Sequence, residues 1–148
     1  MRIALATPTQ HDACETFIAN HIERLDSVEL VLTGGSLPGF DRAGRPFLAA
    51  TPFAMLIDRA RSSLLGQDWR TRLRKDITLR LRRERIQVVL AEYGTTASEM
   101  LPCCQAAGVP LVAYFLGFDA YRHDMLERYG GYRALFANAA ALVGVSRA

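Results

Sequence analysis

Residues 86–115 read IQVVLAEYGTTASEMLPCCQAAGVPLVAYF, and this stretch decides the fold. Ile86 to Ala91 is a short apolar run, the form a strand takes when both of its faces are covered. Thr96-Ala97-Ser98-Glu99 matches the capping box that opens a helix. Pro102 should kink that helix and Gly108 should end it. Val109 to Phe115 then supplies a second apolar strand. Strand, helix and strand in this order need a crossover connection, which makes the two strands parallel.

The same alternation continues outward in both directions. Upstream, Ile3 to Ala6 is a first strand closed by Thr7-Pro8-Thr9. A helix follows from Glu15 to Leu25, with Phe17, Ile18, Ile22 and Leu25 on one face. Val28 to Leu32 is the next strand, ended by Gly34-Gly35, and Gly34 to Ala50 reads as a surface loop. Phe53, Leu56, Ile57, Ala60 and Leu64 recur at helical spacing up to Gly66, and Trp69, Leu73, Ile77 and Leu81 form a second helical seam. Downstream, two short helices separated by Gly130-Gly131 lead into a last strand, Ala141 to Val145. The chain therefore reads as α/β: a Rossmann-like, doubly wound, mainly parallel sheet of about five strands with helices on both faces. Residues 1–148 make a single domain, near the commonest domain size.

Half of the residues are hydrophobic and 22% are charged, a globular composition that excludes disordered and fibrous classes. The apolar run after Met1-Arg2 is too short for a signal peptide, and no stretch is long enough to span a membrane. Cys14, Cys103 and Cys104 do not form the pattern of a secreted disulfide framework, so the cytoplasm is the expected compartment. The net charge of +3 conceals an asymmetry. Between Trp69 and Arg85 eight basic residues oppose two acidic ones, a local +6 on a body carrying −3. With the apolar seam docked and the Arg residues facing outward, Arg70, Arg74, Arg82 and Arg83 are candidates for an anionic membrane surface; nucleic acid is not expected.

In an open parallel sheet ligands bind beyond the carboxyl ends of the strands, which gathers Thr7 to Glu15, Gly34-Gly35, Glu92-Tyr93-Gly94, Gly117 to Asp119 and Ser146-Arg147 on one edge. Neither a dinucleotide fingerprint nor a Walker-type phosphate loop is present, which removes the main support for NAD and for ATP hydrolysis. His11, Asp12, Cys14 and Glu15 are too crowded to surround one tetrahedral ion, so no metal is expected. Glu15 and Thr16, at the first turn of a helix, either cap it or meet an anion or a hydroxyl. Glu92 is either a solvated loop carboxylate or a hydroxyl acceptor, and Asp119 reads as the N-cap of its own helix. His21, His123, Cys103 and Cys104 receive no role.

Several of these segments resemble a family. Cys14-Glu15-Thr16-Phe17-Ile18 resembles the Ser-Glu-Thr-Phe-Ile motif that follows the first strand of retaining GT-B glycosyltransferases. Leu90 to Gly94 is similar to the Ala-Glu-Tyr-Gly segment of one subgroup, Leu111 to Ala120 to its strand ending in His-Phe-His-Gly-Tyr-Asp-Ala, and Leu135 to Ser146 to its Val-Ser strand. Tyr114 and Leu116 stand where that pattern has histidines, the second of which is credited there with contacting the transferred sugar. The resemblance implies the N-terminal, acceptor-side domain of a nucleotide-sugar-dependent, metal-independent transferase of cell-envelope or polysaccharide synthesis. Glu15, Thr16, Glu92, Tyr93, Gly94, Gly117, Asp119 and Ser146 would bind a sugar or lipid-linked sugar acceptor, with no catalytic residue and no cofactor in this half. The nucleotide-sugar belongs to a C-terminal donor domain absent from the 148 residues, so the isolated domain should be inactive. The alternative is a stand-alone flavodoxin-like binding or regulatory module. A peripheral position on the inner face of the membrane is tested by sedimentation with liposomes. Salt-sensitive binding to anionic but not neutral vesicles is expected, at about 1 kcal/mol per basic residue near the surface, and equal binding to both removes the idea.

Overall fold

The computed structural model describes residues 1–9, 16–48 and 68–145. The elements run β1 (Ile3–Ala6), α1 (Thr16–Arg24), β2 (Val28–Thr33), β3 (Phe40–Asp41), α2 (Trp69–Arg83), β4 (Val88–Glu92), α3 (Gly94–Ala107), β5 (Leu111–Phe115), α4 (Phe118–Tyr121), α5 (His123–Arg128), a 3-10 turn (Gly130–Tyr132), α6 (Arg133–Asn138) and β6 (Ala141–Gly144). They form one sheet in the order β3-β2-β1-β4-β5-β6. β2, β1, β4, β5 and β6 are parallel, and β3 pairs with β2 antiparallel at the edge. The protein is α/β and Rossmann-like, with its topological switch between β1 and β4: the chain first builds outward from β1 on one side, then returns to build on the other.

Strand alternation sends successive side chains to opposite faces. Ala4, Ala6, Leu32, Val89, Ala91 and Ala113 face the larger core with Leu73, Ile77 and Leu81 of α2 and Met100, Cys103 and Cys104 of α3. Alanines on β1, β4 and β5 leave room for these two helices to approach the sheet. Leu5 and Val31 face the other way, against Ile18 and Ile22 of α1. Both faces of the centre of the sheet are thus covered, as the sequence predicts, while β6 at the edge is exposed along its length. No helix among the described residues is long and apolar enough to cross a membrane.

Four expectations change. The loop from Gly34 carries a sixth, antiparallel strand, because Asp41 builds a tight turn: its carboxylate accepts from the N–H groups of Ala43 and Arg45, both at 2.9 Å. Trp69 leaves the α2 seam and is 52% exposed, since Asp68 caps the helix one residue before it, accepting from Thr71 N–H at 2.8 Å. α3 starts at Gly94, two residues before the expected capping box, and runs through Pro102 to an αL cap at Gly108. The fourth concerns Glu99, which does not turn back to a cap. Its carboxylate takes Arg70 Nη2 at 2.5 Å and Arg74 Nη2 at 2.7 Å, joining α2 to α3. Arg70 and Arg74 are therefore turned toward α3 rather than outward, whereas Arg82, which bonds the Ala106 carbonyl, and Arg83 remain exposed. The helical pattern from Phe53 to Leu64 lies outside the described residues.

Burial pushes the Glu99 carboxyl up, but the hydrogen bonds from Arg74 and Arg70 outweigh it and hold the group below the usual carboxylate range. A depressed acid contributes its stability above the unfolded-state range and loses it as the pH falls through the folded value. Thermal unfolding should show a decline in Tm as the pH falls below the usual carboxylate range, and Glu99→Gln should lower Tm at pH 7 while flattening that decline. An unchanged acid limb in the variant would show that this clamp is not responsible.

Candidate functional site at the switch point

The edge of the sheet beyond β1, β4 and β5 is held by one buried carboxylate. Asp119 Oδ2 accepts from Gly94 N–H at 2.5 Å and Oδ1 from Leu116 N–H at 3.2 Å, while the Tyr132 hydroxyl donates to the Asp119 carbonyl at 3.1 Å. Asp119 is fully buried. It does not cap its own helix: Gly117, at φ 97°, is the N-cap of α4, and the carboxylate instead satisfies the first N–H of α3. This explains why α3 needs no capping side chain of its own. Gly94 also leaves space for Phe115, whose Cε1 would lie 2.3 Å from a Cβ at position 94. The Phe115 ring cannot readily yield, because Tyr132 and Phe136 pack against it at 5.4 and 5.8 Å. Burial and the Asp119 charge push the Tyr132 hydroxyl up to about 12, so it stays a donor at any ordinary pH.

Between Glu92 and Gly94 the backbone turns sharply at Tyr93, which adopts φ 71° and ψ 139°. A side chain in that region costs about 1–3 kcal/mol, held here by Tyr93 N–H donating to Tyr114 O at 2.8 Å and Ala97 N–H to Tyr93 O at 2.9 Å. The turn places Tyr93 and Thr95 in a crevice of about 450 Å³, shared with Pro8 after β1, Ser36 after β2, and Phe118 and Met125 after β5. None of these described lining residues carries a charge.

Glu92 sits elsewhere. Two residues beyond Leu90, it faces the α1 side of the sheet, is fully buried, and has Oε1 2.7 Å from His21 Nδ1. Tyr114, its partner in register on β5, stands edge-on to the His21 ring with centroids 5.3 Å apart. Glu92 is thus neither a solvated carboxylate nor an open acceptor, and its replacement should cost stability. Of the residues predicted for the site, Gly94 and Asp119 are bonded directly, Gly117 is the N-cap of α4 two residues before Asp119, and Tyr93 lines the crevice. Thr16 is the first residue of α1, whereas Glu15 and Ser146 lie outside the described residues. Phe118 falls within the stretch expected at this edge, whereas His21, Ser36, Thr95 and Met125 were not predicted. Helical spacing from Ile18 and Ile22, read with the alternation along β4, is the signal that would have joined His21 to Glu92.

The adjacent thiols offer no nucleophile. Burial pushes Cys103 up to about 11 and Cys104 further, which leaves both protonated. No protein-family model, no curated protein and no solved structure matches this chain. Two substitutions test the frame of the site. Asp119→Asn puts an amide donor against one of two backbone donors and should cost about 2–3 kcal/mol, a fall in Tm on the order of 8 °C. Gly94→Ala should destabilise by about 1–3 kcal/mol, with partial recovery in a Phe115→Leu background. Additive losses in the double variant would show that the ring is not the obstacle.

Proposed function

We propose that this chain is the acceptor-binding domain of a GT-B-type glycosyltransferase, and that the crevice at the switch point receives a hydroxylated sugar ring. The carrying observation is the crevice itself: the hydroxyl-bearing residues Ser36, Tyr93 and Thr95 line it together with the apolar Pro8, Phe118 and Met125, with no charged residue among the described lining. A neutral polyol offers hydrogen-bonding groups around its rim and C–H faces to aromatic surface, which is the complement of such a lining. A phosphate buried there would find no cation among the described lining residues. The resemblance of the segments around Glu92, Tyr93, Gly94 and Asp119 to the transferase motifs supports the same reading. In a retaining transferase without a metal, the donor's leaving phosphate can take the acceptor proton, so this half would contribute position rather than a base.

The lipid-facing surface of this reading narrows to α2 and its groove with α3. Lys75, Arg82 and Arg83 are exposed there beside Leu79 and Pro102, whereas Arg70 and Arg74 are engaged by Glu99. The test of the acceptor site is calorimetry with neutral glycosides, comparing the natural chain with Thr95→Val. Binding should weaken about five- to tenfold, the loss of roughly one hydrogen bond, while Tm changes little. Identical affinity in the variant, or no binding of any neutral glycoside by the natural chain, would overturn the proposal.

A further inference from the structure

Beside the neutral crevice lies a second pocket of about 320 Å³ with a different character. Its lining includes Ser36 from the turn after β2, Phe40 of β3, Trp69 and Arg70 from the first turn of α2, Glu99 of α3 and Arg128 at the end of α5. Ser36 lines both pockets. α5 also serves both, giving Met125 to the neutral crevice and Arg128 to the second pocket, three residues and about 4.5 Å of helical rise further on. The two pockets are therefore neighbours along one edge.

Among the described residues lining the second pocket the charged groups are the guanidinium groups of Arg70 and Arg128 and the carboxylate of Glu99, a balance of +1. Glu99 is taken by Arg70 and Arg74, and Asp68 caps α2. Arg128 has no carboxylate partner among the described residues; its guanidinium lies 5.7 Å from the Tyr129 ring. Arg70 spends one Nη2 on Glu99 and keeps further N–H donors. Trp69 is half-exposed beside it, with the Arg70 guanidinium 5.5 Å from its ring. An aromatic face and two guanidinium groups at the rim suit an oxyanion attached to a sugar, since planar N–H forks match phosphate and carboxylate oxygens.

We infer that the acceptor is an anionic sugar: its ring occupies the crevice at Tyr93 and Thr95, and its phosphate or carboxylate reaches the pocket at Trp69, Arg70 and Arg128. This rests on the acceptor reading above and deepens it. Trp69 is the chain's single tryptophan, so its fluorescence reports on the second pocket alone. The experiment titrates the full chain with glucose 1-phosphate, glucuronate, methyl glucoside and inorganic phosphate, following Trp69 fluorescence and, by calorimetry, total binding. Glucose 1-phosphate or glucuronate should bind at least fivefold more tightly than methyl glucoside and quench Trp69, and the stronger of the two identifies the oxyanion. Arg128→Gln, a change at an exposed residue, should abolish that advantage and leave methyl glucoside binding as it was. If methyl glucoside binds and the charged sugars bind no better, the inference fails while the acceptor reading stands. Binding of inorganic phosphate with no binding of any sugar overturns both.

Discussion

The Asp119 carboxylate is the interaction on which the edge of this protein depends. It is buried with no cationic partner among the described residues, and it is satisfied by two backbone N–H groups from different parts of the chain. One donor, Gly94, opens α3; the other, Leu116, directly follows β5. A carboxylate in that position can be tolerated only if both donors stay in place, because a buried charge that loses its hydrogen bonds pays the full cost of desolvation. The ends of β4 and β5 and the start of α3 are thereby fixed relative to one another. The turn at Tyr93, energetically unfavourable alone, is caught between these fixed points.

From that constraint the rest of the edge follows. With α3 pinned at its first residue, Glu99 arrives opposite Arg70 and Arg74, and α2 is drawn against α3 over the alanine-lined face of the sheet. Phe115, Tyr132 and Phe136 close the opposite end of the same face around Gly94. On the α1 face, the pairing of Glu92 with His21 and the edge-on contact of Tyr114 make a separate polar cluster. The edge is thus polar and ordered in three places, yet none of the described residues lining the crevice is charged. That contrast argues for recognition by shape and hydrogen bonding at one place and by charge at its neighbour.

Much of the fold is legible in the sequence because the parallel strands are apolar runs, and β1, β2, β4, β5 and β6 each fall within two residues of such a run, β6 although it is exposed. β3 escapes because two residues carry no periodicity; only the Asp41-Arg42-Ala43-Gly44 turn marks it. The site is less legible. Position along the chain places Glu92, Tyr93, Gly94 and Asp119 at the carboxyl edge, but whether a carboxylate there meets solvent or a partner depends on which face its strand position points to and on what another element presents. Asp119 reads locally as a cap because the sequence cannot display a donor 25 residues away. The basic block reads as one face for the same reason: the spacing of Arg70 and Arg74 is visible, and the carboxylate of Glu99 between them is not.

The claim that Asp119 holds the edge of the sheet is tested most directly by native-state hydrogen exchange at the two amides it accepts from. Gly94 N–H should exchange only through global unfolding, as slowly as a central strand amide such as Val89, which donates to the Pro110 carbonyl at 2.9 Å. Leu116 N–H, at the longer 3.2 Å contact, should be protected as well, though less strongly. Exchange of Gly94 within minutes at neutral pH, while Val89 remains protected, would contradict the account, because it would mean that the strand ends open freely and that the crevice has no fixed frame.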